Sequence, residues 1–177
     1  MKILGMIKYM LTVAAFLPLS LMAQTDPTGK VSYSEIVEVK GATTATLMDR
    51  ANTFLTLKKI ENKKVGTTIT GVGALNVAYT SIKKGPENGL VKFNLKLMIK
   101  DGKYKMDMTD FKHEGIMGKS TGGPIELEKP ECGEAQLSPA SWAAIKEQTQ
   151  TQLKAFVQEL KIKMDNPAKK VAPSSDF

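Results

Sequence analysis

Between Val91 and Thr109 apolar and polar side chains alternate almost without a break. Val91, Phe93, Leu95, Leu97 and Ile99 interleave with Lys92, Asn94, Lys96 and Lys100; after Asp101-Gly102, Tyr104, Met106 and Met108 resume the pattern. Period-two alternation on both sides of an Asp-Gly pair predicts a β-hairpin with one buried face. Asp-Gly supplies two residues tolerant of positive φ, so a type I′ turn is expected, pairing Lys100 with Lys103 and Ile99 with Tyr104. The same register sets Leu97 opposite Met106 and Leu95 opposite Met108 on the apolar face, and Lys96 opposite Asp107 on the wet face. Strict register would leave Phe93 facing Asp110. A bulge near Thr109 or Asp110 brings Phe111 onto the apolar face instead, and is expected there.

The remaining elements follow from the same kind of reading. In residues 31–39, Val31, Tyr33, Val37 and Val39 share one side, with Glu35 the exception; Ser32, Ser34 and Glu38 share the other with Ile36. This predicts an interior or near-interior strand of a sheet with one covered face. Gly41 ends it, and Thr43 or Thr44 caps a helix whose stripe is Leu47, Met48, Ala51, Phe54 and Leu55, with Asp49, Arg50, Asn52 and Thr53 towards water. A lysine-rich turn over 58–64 leads into residues 65–79, read as one long strand bent at Gly71 and Gly73, or as two strands. Gly71-Val72-Gly73 does not open a dinucleotide loop, because Asn76 stands where the third glycine belongs and a strand pattern follows where a helix is needed. Residues 81–89 read as a loop. Residues 114–137 form the longest stretch without period, of the kind that is usually functional or disordered, with Ile116, Met117, Ile125 and Leu127 to pack it down. Ser138-Pro139 then predicts an N-cap and first helical residue. Trp142, Ile145, Thr149, Leu153, Phe156, Leu160 and Met164 continue as a helix of about seven turns, ending near Asn166-Pro167.

Strand, helix, several antiparallel strands and helix make an α+β domain over 31–164, an antiparallel sheet with both helices on one face, in the order β-α-β-β-β(-β)-α. Residues 24–30 are expected as a polar leader and 165–177 as a disordered tail. Lys2 and Lys8, the apolar run from Tyr9 to Met22 and the small residue Ala23 describe a secretory signal peptide, residues 1–23, cleaved after Ala23. Pro18 interrupts that run, and a spanning helix needs about 20 apolar residues. No cysteine stands at the cleavage point to be lipidated, and no second run is long enough to span, so the mature chain is expected to be exported without a transmembrane segment: periplasmic, at the cell surface or secreted.

The 25 basic and 18 acidic residues give a net charge of +7 and a pI near 9.4. The lysines are spread along the chain with few aromatics between them, unlike a platform for stacking bases, so no nucleic-acid partner is expected. Cys132 is the single cysteine: a buried hydrophobe, a free thiol or an intermolecular link. His113 is the single histidine, so no histidine cluster is available for zinc or haem. Asp110, His113 and Glu114 form a conceivable acid-base set at a strand end, but no nucleophile stands at a recognisable spacing, and His113 reads as a surface residue at the start of a loop. A Cys132 and His113 pair gains nothing from Glu131 and Glu134, whose charge raises a thiol pKa. Glu126, Glu128, Glu131 and Glu134 lack calcium-loop spacing, and Met106 and Met108 read as core. No catalytic, cofactor-binding or metal residue is therefore assigned, and no cofactor is expected.

Several strings occur in a fixed order: Tyr33-Ser34-Glu35-Ile36-Val37-Glu38-Val39; Leu47, Asp49-Arg50-Ala51 and Phe54; Lys100-Asp101-Gly102-Lys103-Tyr104; Thr109-Asp110-Phe111 with His113. Placed after a signal peptide, and spanning about half of the chain, they resemble the secreted bacterial family known as domain of unknown function 4468, found mainly in Bacteroidetes-type bacteria. Thr53 departs from the pattern, standing where a large aromatic is expected before Phe54. The resemblance implies an extracytoplasmic location and a TATA-binding-protein-like (TBP-like) fold, and it supplies no activity. Such a shape does not confer DNA binding, because function lives in sites placed on folds.

The functional expectation is a non-enzymatic exported domain that binds a protein or envelope component. Its candidate partner face is the wet side of the sheet, Lys92, Lys96, Lys105 and Asp107, together with His113; the 114–137 segment is the other candidate surface. A hydrolase using Asp110, His113 and Glu114 is the alternative from another class. A carrier of an apolar ligand between helices and sheet is the third, and it requires a cavity that the Met- and Leu-rich pattern fills.

Overall fold

A computed structural model describes residues 24–25, 29–82, 85–115 and 120–165. Its elements are β1 (Gln24–Thr25), β2 (Val31–Glu38), α1 (Thr44–Leu57), β3 (Asn62–Val65), β4 (Thr68–Ser81), β5 (Gly85–Lys100), β6 (Lys103–Gly115), β7 (Gly123–Pro124) and α2 (Pro139–Asp165). The strands pair antiparallel in the spatial order β1-β2-β6-β5-β4-β3, with β7 beside β6. Both helices pack on one face, giving the α+β architecture expected. The signal peptide and the tail beyond Asp165 lie outside the described residues.

The central hairpin has the expected register, from Lys100 opposite Lys103 to Leu95 opposite Met108, with Lys96 opposite Asp107. Pairing slips between Lys92 and Asn94, and across from them Asp110 adopts φ 56°. This is the expected bulge, and it delivers Phe111 to the core. The turn departs from type I′: Gly102 has φ 72°, but Asp101 does not enter the positive region. Asp101 is held from outside, its Oδ1 accepting the Thr44 N–H at 2.6 Å and the Thr44 hydroxyl at 2.7 Å. Gly102 in turn donates to Ala42 O and accepts from Val39 N–H, both at 2.8 Å. The hairpin tip is clamped to the start of α1, and these bonds override the local turn preference.

Thr43 caps α1 by accepting the Thr46 N–H at 3.2 Å, and the five buried side chains of the helix are the five of its sequence stripe. Ser138 caps α2 in the same way, through Ser141 N–H at 3.1 Å, and all seven expected residues from Trp142 to Met164 are buried. The helices meet the sheet through an aromatic cluster. Phe156 of α2 lies edge-on to Phe54 of α1 at 5.3 Å and to Phe93 of β5 at 5.4 Å, and Phe93 stacks on Phe111 of β6 at 5.5 Å. Arg50 closes the far end, donating to the carbonyl of Met164 at 2.5 Å. Glu35, the parity exception of β2, is accounted for on this covered side: Tyr33 Oη donates to its Oε2 and Lys161 Nζ of α2 reaches its Oε1 at 2.6 Å.

Three expectations about connections are corrected. Residues 65–79 divide at Gly66 (φ 58°), where Val65 pairs with Thr68, and not at Gly71 and Gly73, which lie inside an unbroken β4. The supposed turn over 58–64 thereby contributes the edge strand β3. Residues 81–89 are not a loop throughout, because β4 and β5 stay paired from Val77 opposite Gly89 to Ser81 opposite Gly85. The leader also takes part, with Gln24 and Thr25 pairing with Ser32 and Val31. The described part of 114–137 packs down, as expected of Ile125 and Leu127: β7 pairs with Lys112 and His113, Ile125 and Leu137 are buried, and Trp142 Nε1 donates to Leu127 O at 3.0 Å.

Candidate functional site on the open sheet face

Parity decides which side chains reach the uncovered face. Before the bulge, Lys105, Asp107 and Thr109 of β6 alternate with buried Tyr104, Met106 and Met108; after it, Lys112 and Glu114 alternate with buried Phe111 and His113. From β5 come Lys92, Asn94 and Lys96, and from β2 come Ser34 and Ile36. These side chains form rows across the strands. The central row runs Ser34, Asp107, Lys96, Thr70, Lys63, each opposite the next in the ladder.

The face is hollowed into an open trough of about 1210 Å³ crossing β2, β6, β5, β4 and β3. Lys96, Lys105 and Asp107 line it, together with Lys59, Lys63, Glu61, Thr70, Val72 and Ser34. Lys92 lies on the same face outside it, paired with Glu114 at 2.6 Å. Within the trough Asp107 is held from two sides: Ser34 Oγ donates to it at 2.6 Å and Lys105 Nζ sits at 2.9 Å. Lys96, although opposite Asp107 in register, makes no ion pair among the described residues, and neither does Lys63. The trough therefore carries uncompensated positive charge at its centre and at its β3 rim. Lys59 and Lys63 carry no signal in the sequence, because the exposed residues around them show no alternation.

His113 does not belong to this face. It is fully buried on the helix side, edge-on to Tyr79 at 5.1 Å and 6.1 Å from Trp142. Its Nδ1 accepts the Gly122 N–H at 3.1 Å, and its buried Nε2 has no hydrogen-bond partner among the described residues. Burial pulls its pKa down to about 4, against a weaker opposite pull from Glu114. Burial, and then Glu87, push the Tyr79 phenol up to about 12. The structure thus separates the Asp110, His113 and Glu114 set. Asp110 is bound on the open side by Asn94 Nδ2 at 2.9 Å and approached by Lys30 at 3.6 Å, Glu114 by Lys92, while the imidazole points the other way. The Asn94 hydrogen bond, first among several, holds the Asp110 carboxyl below its usual range.

The other candidate chemistries stay apart as well. Among the described residues no group of three or more His, Cys, Asp and Glu is placed to hold a metal ion. Cys132 is free and half-buried, and its thiol is raised by burial, then lowered in part by a backbone hydrogen bond. No described helix is long and apolar enough to cross a membrane. Between helices and sheet the core is filled by the aromatic cluster; a hollow of about 380 Å³ at its rim is lined by Phe111, Ile125 and Leu153 but also by Lys146, Thr149 and Gln150.

No protein-family model and no curated protein matches the sequence. Solved structures do match the fold. A TBP-like protein from Parabacteroides distasonis superposes with a TM-score of 0.61 at 13% identity, covering 81% of this chain and 97% of that one. A DUF4468 family protein from Bacteroides ovatus gives a TM-score of 0.61 at 14% identity, covering 86% of this chain and 95% of that one. At such identities the likeness is one of fold, and the fold is TBP-like.

Proposed function

We propose that this TBP-like chain is a non-enzymatic exported binding domain of the cell envelope, with the open sheet face as its partner surface. The observation that carries the reading is the trough of about 1210 Å³, which gathers Lys59, Lys63, Lys96 and Lys105 against Glu61 and Asp107 on an uncovered sheet. A one-layer sheet normally buries one face and leaves the other wet. Here the wet face is concave, and its central lysine makes no ion pair among the described residues. The signal-like residues 1–23 support export.

The test is a crosslinking pull-down from the native envelope, comparing the natural protein with a Lys92→Glu, Lys96→Glu, Lys105→Glu variant. Loss of the captured partner, with an unchanged circular dichroism spectrum, supports the reading. Unchanged capture by the variant rejects this face as the partner surface.

A further inference from the structure

Three features of the open face, taken here as the partner surface, restrict what fits it. The first is the absence of rings. Every aromatic side chain among the described residues is buried in the core. Bases and sugar rings bound on open surfaces rely on aromatic stacking, and none is offered here.

The second is charge. Asp107 is occupied by Ser34 and Lys105, whereas Lys96 and Lys63 make no ion pair among the described residues. The ladder puts them in one row with Thr70 between, so their strands stand roughly 10 Å apart at about 4.8 Å per strand. The third is that the lysines are interleaved with bare aliphatics. Val72, 56% exposed, lines the trough, and Ile36, 64% exposed, stands beside Lys105 in the adjacent row.

A concave surface grips a rod better than a plane, so a lipid headgroup surface would meet only its rims. We infer that the trough binds an acidic, partly apolar polypeptide segment of another protein, with carboxylates on Lys96 and Lys63 and aliphatic side chains against Val72. The row from β2 to β3 spans roughly 19 Å, the length of about six extended residues. Charge complementarity of this kind sets the partner's identity and the association rate, and it weakens with salt.

The probes are a short synthetic peptide alternating Glu with Val, its Gln-for-Glu twin, heparin, a thymidine oligonucleotide and phosphatidylglycerol vesicles, each titrated into isotope-labelled protein followed by amide NMR. The Glu peptide shifts the amides of Thr70, Asn94 and Lys96 and binds at least about tenfold tighter than its twin, a difference of ~1.4 kcal/mol. Lys96→Glu and Lys63→Glu each remove about that factor, and Lys154→Glu on the far side of α2 leaves it unchanged. Absence of shifts with the Glu peptide, or tighter binding of heparin, oligonucleotide or vesicles, overturns the inference. If the triple charge-reversal variant loses the native partner and the Glu peptide still fails to bind, the partner face stands and its acidic-peptide chemistry is wrong.

Discussion

Gln148 of α2 bonds both backbone groups of Ala78 in β4: its Oε1 accepts the Ala78 N–H at 2.9 Å, and its Nε2 donates to the Ala78 carbonyl at 2.7 Å. The side-chain amide stands in for a missing neighbour strand. β3 pairs with β4 only from Thr68 to Gly71, and Leu137 bridges Ser81, so β4 from Val72 to Thr80 is a sheet edge. One helical turn on, Gln152 donates to Asn76 O, and towards the start of α2 Ser141 Oγ donates to Thr80 O at 2.8 Å. Four residues of helix rise about 6 Å and two residues of strand about 6.6 Å, so the two repeats stay nearly in step. An edge that would otherwise template strand addition is covered by side chains of the protein's own helix.

Gln148→Leu leaves the Ala78 N–H and carbonyl without these bonds. The expected cost is about 1–2 kcal/mol by urea unfolding. With Gln152→Ala added, the bared edge also produces self-association that rises with concentration, read by size-exclusion chromatography. A double variant as stable and as monodisperse as the parent would mean the amide contacts carry no weight.

Gly73 faces Phe93 across the β4 and β5 ladder, and a Cβ there would lie 2.2 Å from Phe93 Cζ. The ring cannot swing aside, being held by Phe111 and Phe156. Gly73→Ala is therefore expected to cost about 2–3 kcal/mol as an overpacked core. Phe93→Leu makes room, so the double variant loses less than the sum of the single variants, and a double-mutant cycle measures the difference.

The hairpin register was legible because alternation and turn chemistry agree. The bulge was legible because parity breaks at Asp110 and returns at Phe111. That bulge also places His113, two residues past Phe111, on the core side; the signal was present, and the polarity of the imidazole and its neighbours masked it. β3 was not legible, since Lys63, Lys64 and Val65 are all exposed and an edge strand with neither face buried has no alternation to show. The start of β5 was hidden for another reason. Gly89 is buried because a Cβ would strike His113 Nε2 at 2.6 Å, so a residue that resembled loop punctuation is where two rings close over the backbone. On the open face the lysine parity was legible, but the concavity that joins Lys59 and Lys63 to Lys96 depends on strand order.

Glu35 links β2 to α2 through Lys161 at 2.6 Å and accepts from Tyr33 Oη, with the two charged side chains only 27% and 24% exposed. Glu35→Ala strands both partners in a half-buried place, at an expected cost of about 1–2 kcal/mol. Lys161→Met costs less, because Tyr33 still satisfies the carboxylate and the aliphatic stem keeps its packing. Burial and then the Glu35 hydrogen bond raise the Tyr33 phenol. Urea unfolding of the two variants checks the order, and equal losses would mean that the Tyr33 hydroxyl does not hold the carboxylate.

His113 makes the fold acid-sensitive in a defined window. Its pKa falls from 6.5 to about 4 on burial, so between these values the unfolded chain takes up a proton that the folded chain refuses. Its contribution is fully present above pH 6.5, declines as pH drops through the window, and is exhausted below about 4. Protonation also removes the Nδ1 acceptor from the Gly122 N–H, so Gly122 loses its hold on the ring as the imidazole charges. As the single histidine, its ring resonances give an unambiguous NMR titration. Urea unfolding at intervals from pH 7 to 4 should show a loss that His113→Gln abolishes, since an amide accepts the same N–H without titrating. A variant whose stability falls along the same curve as the parent would assign the acid sensitivity to the carboxylates instead.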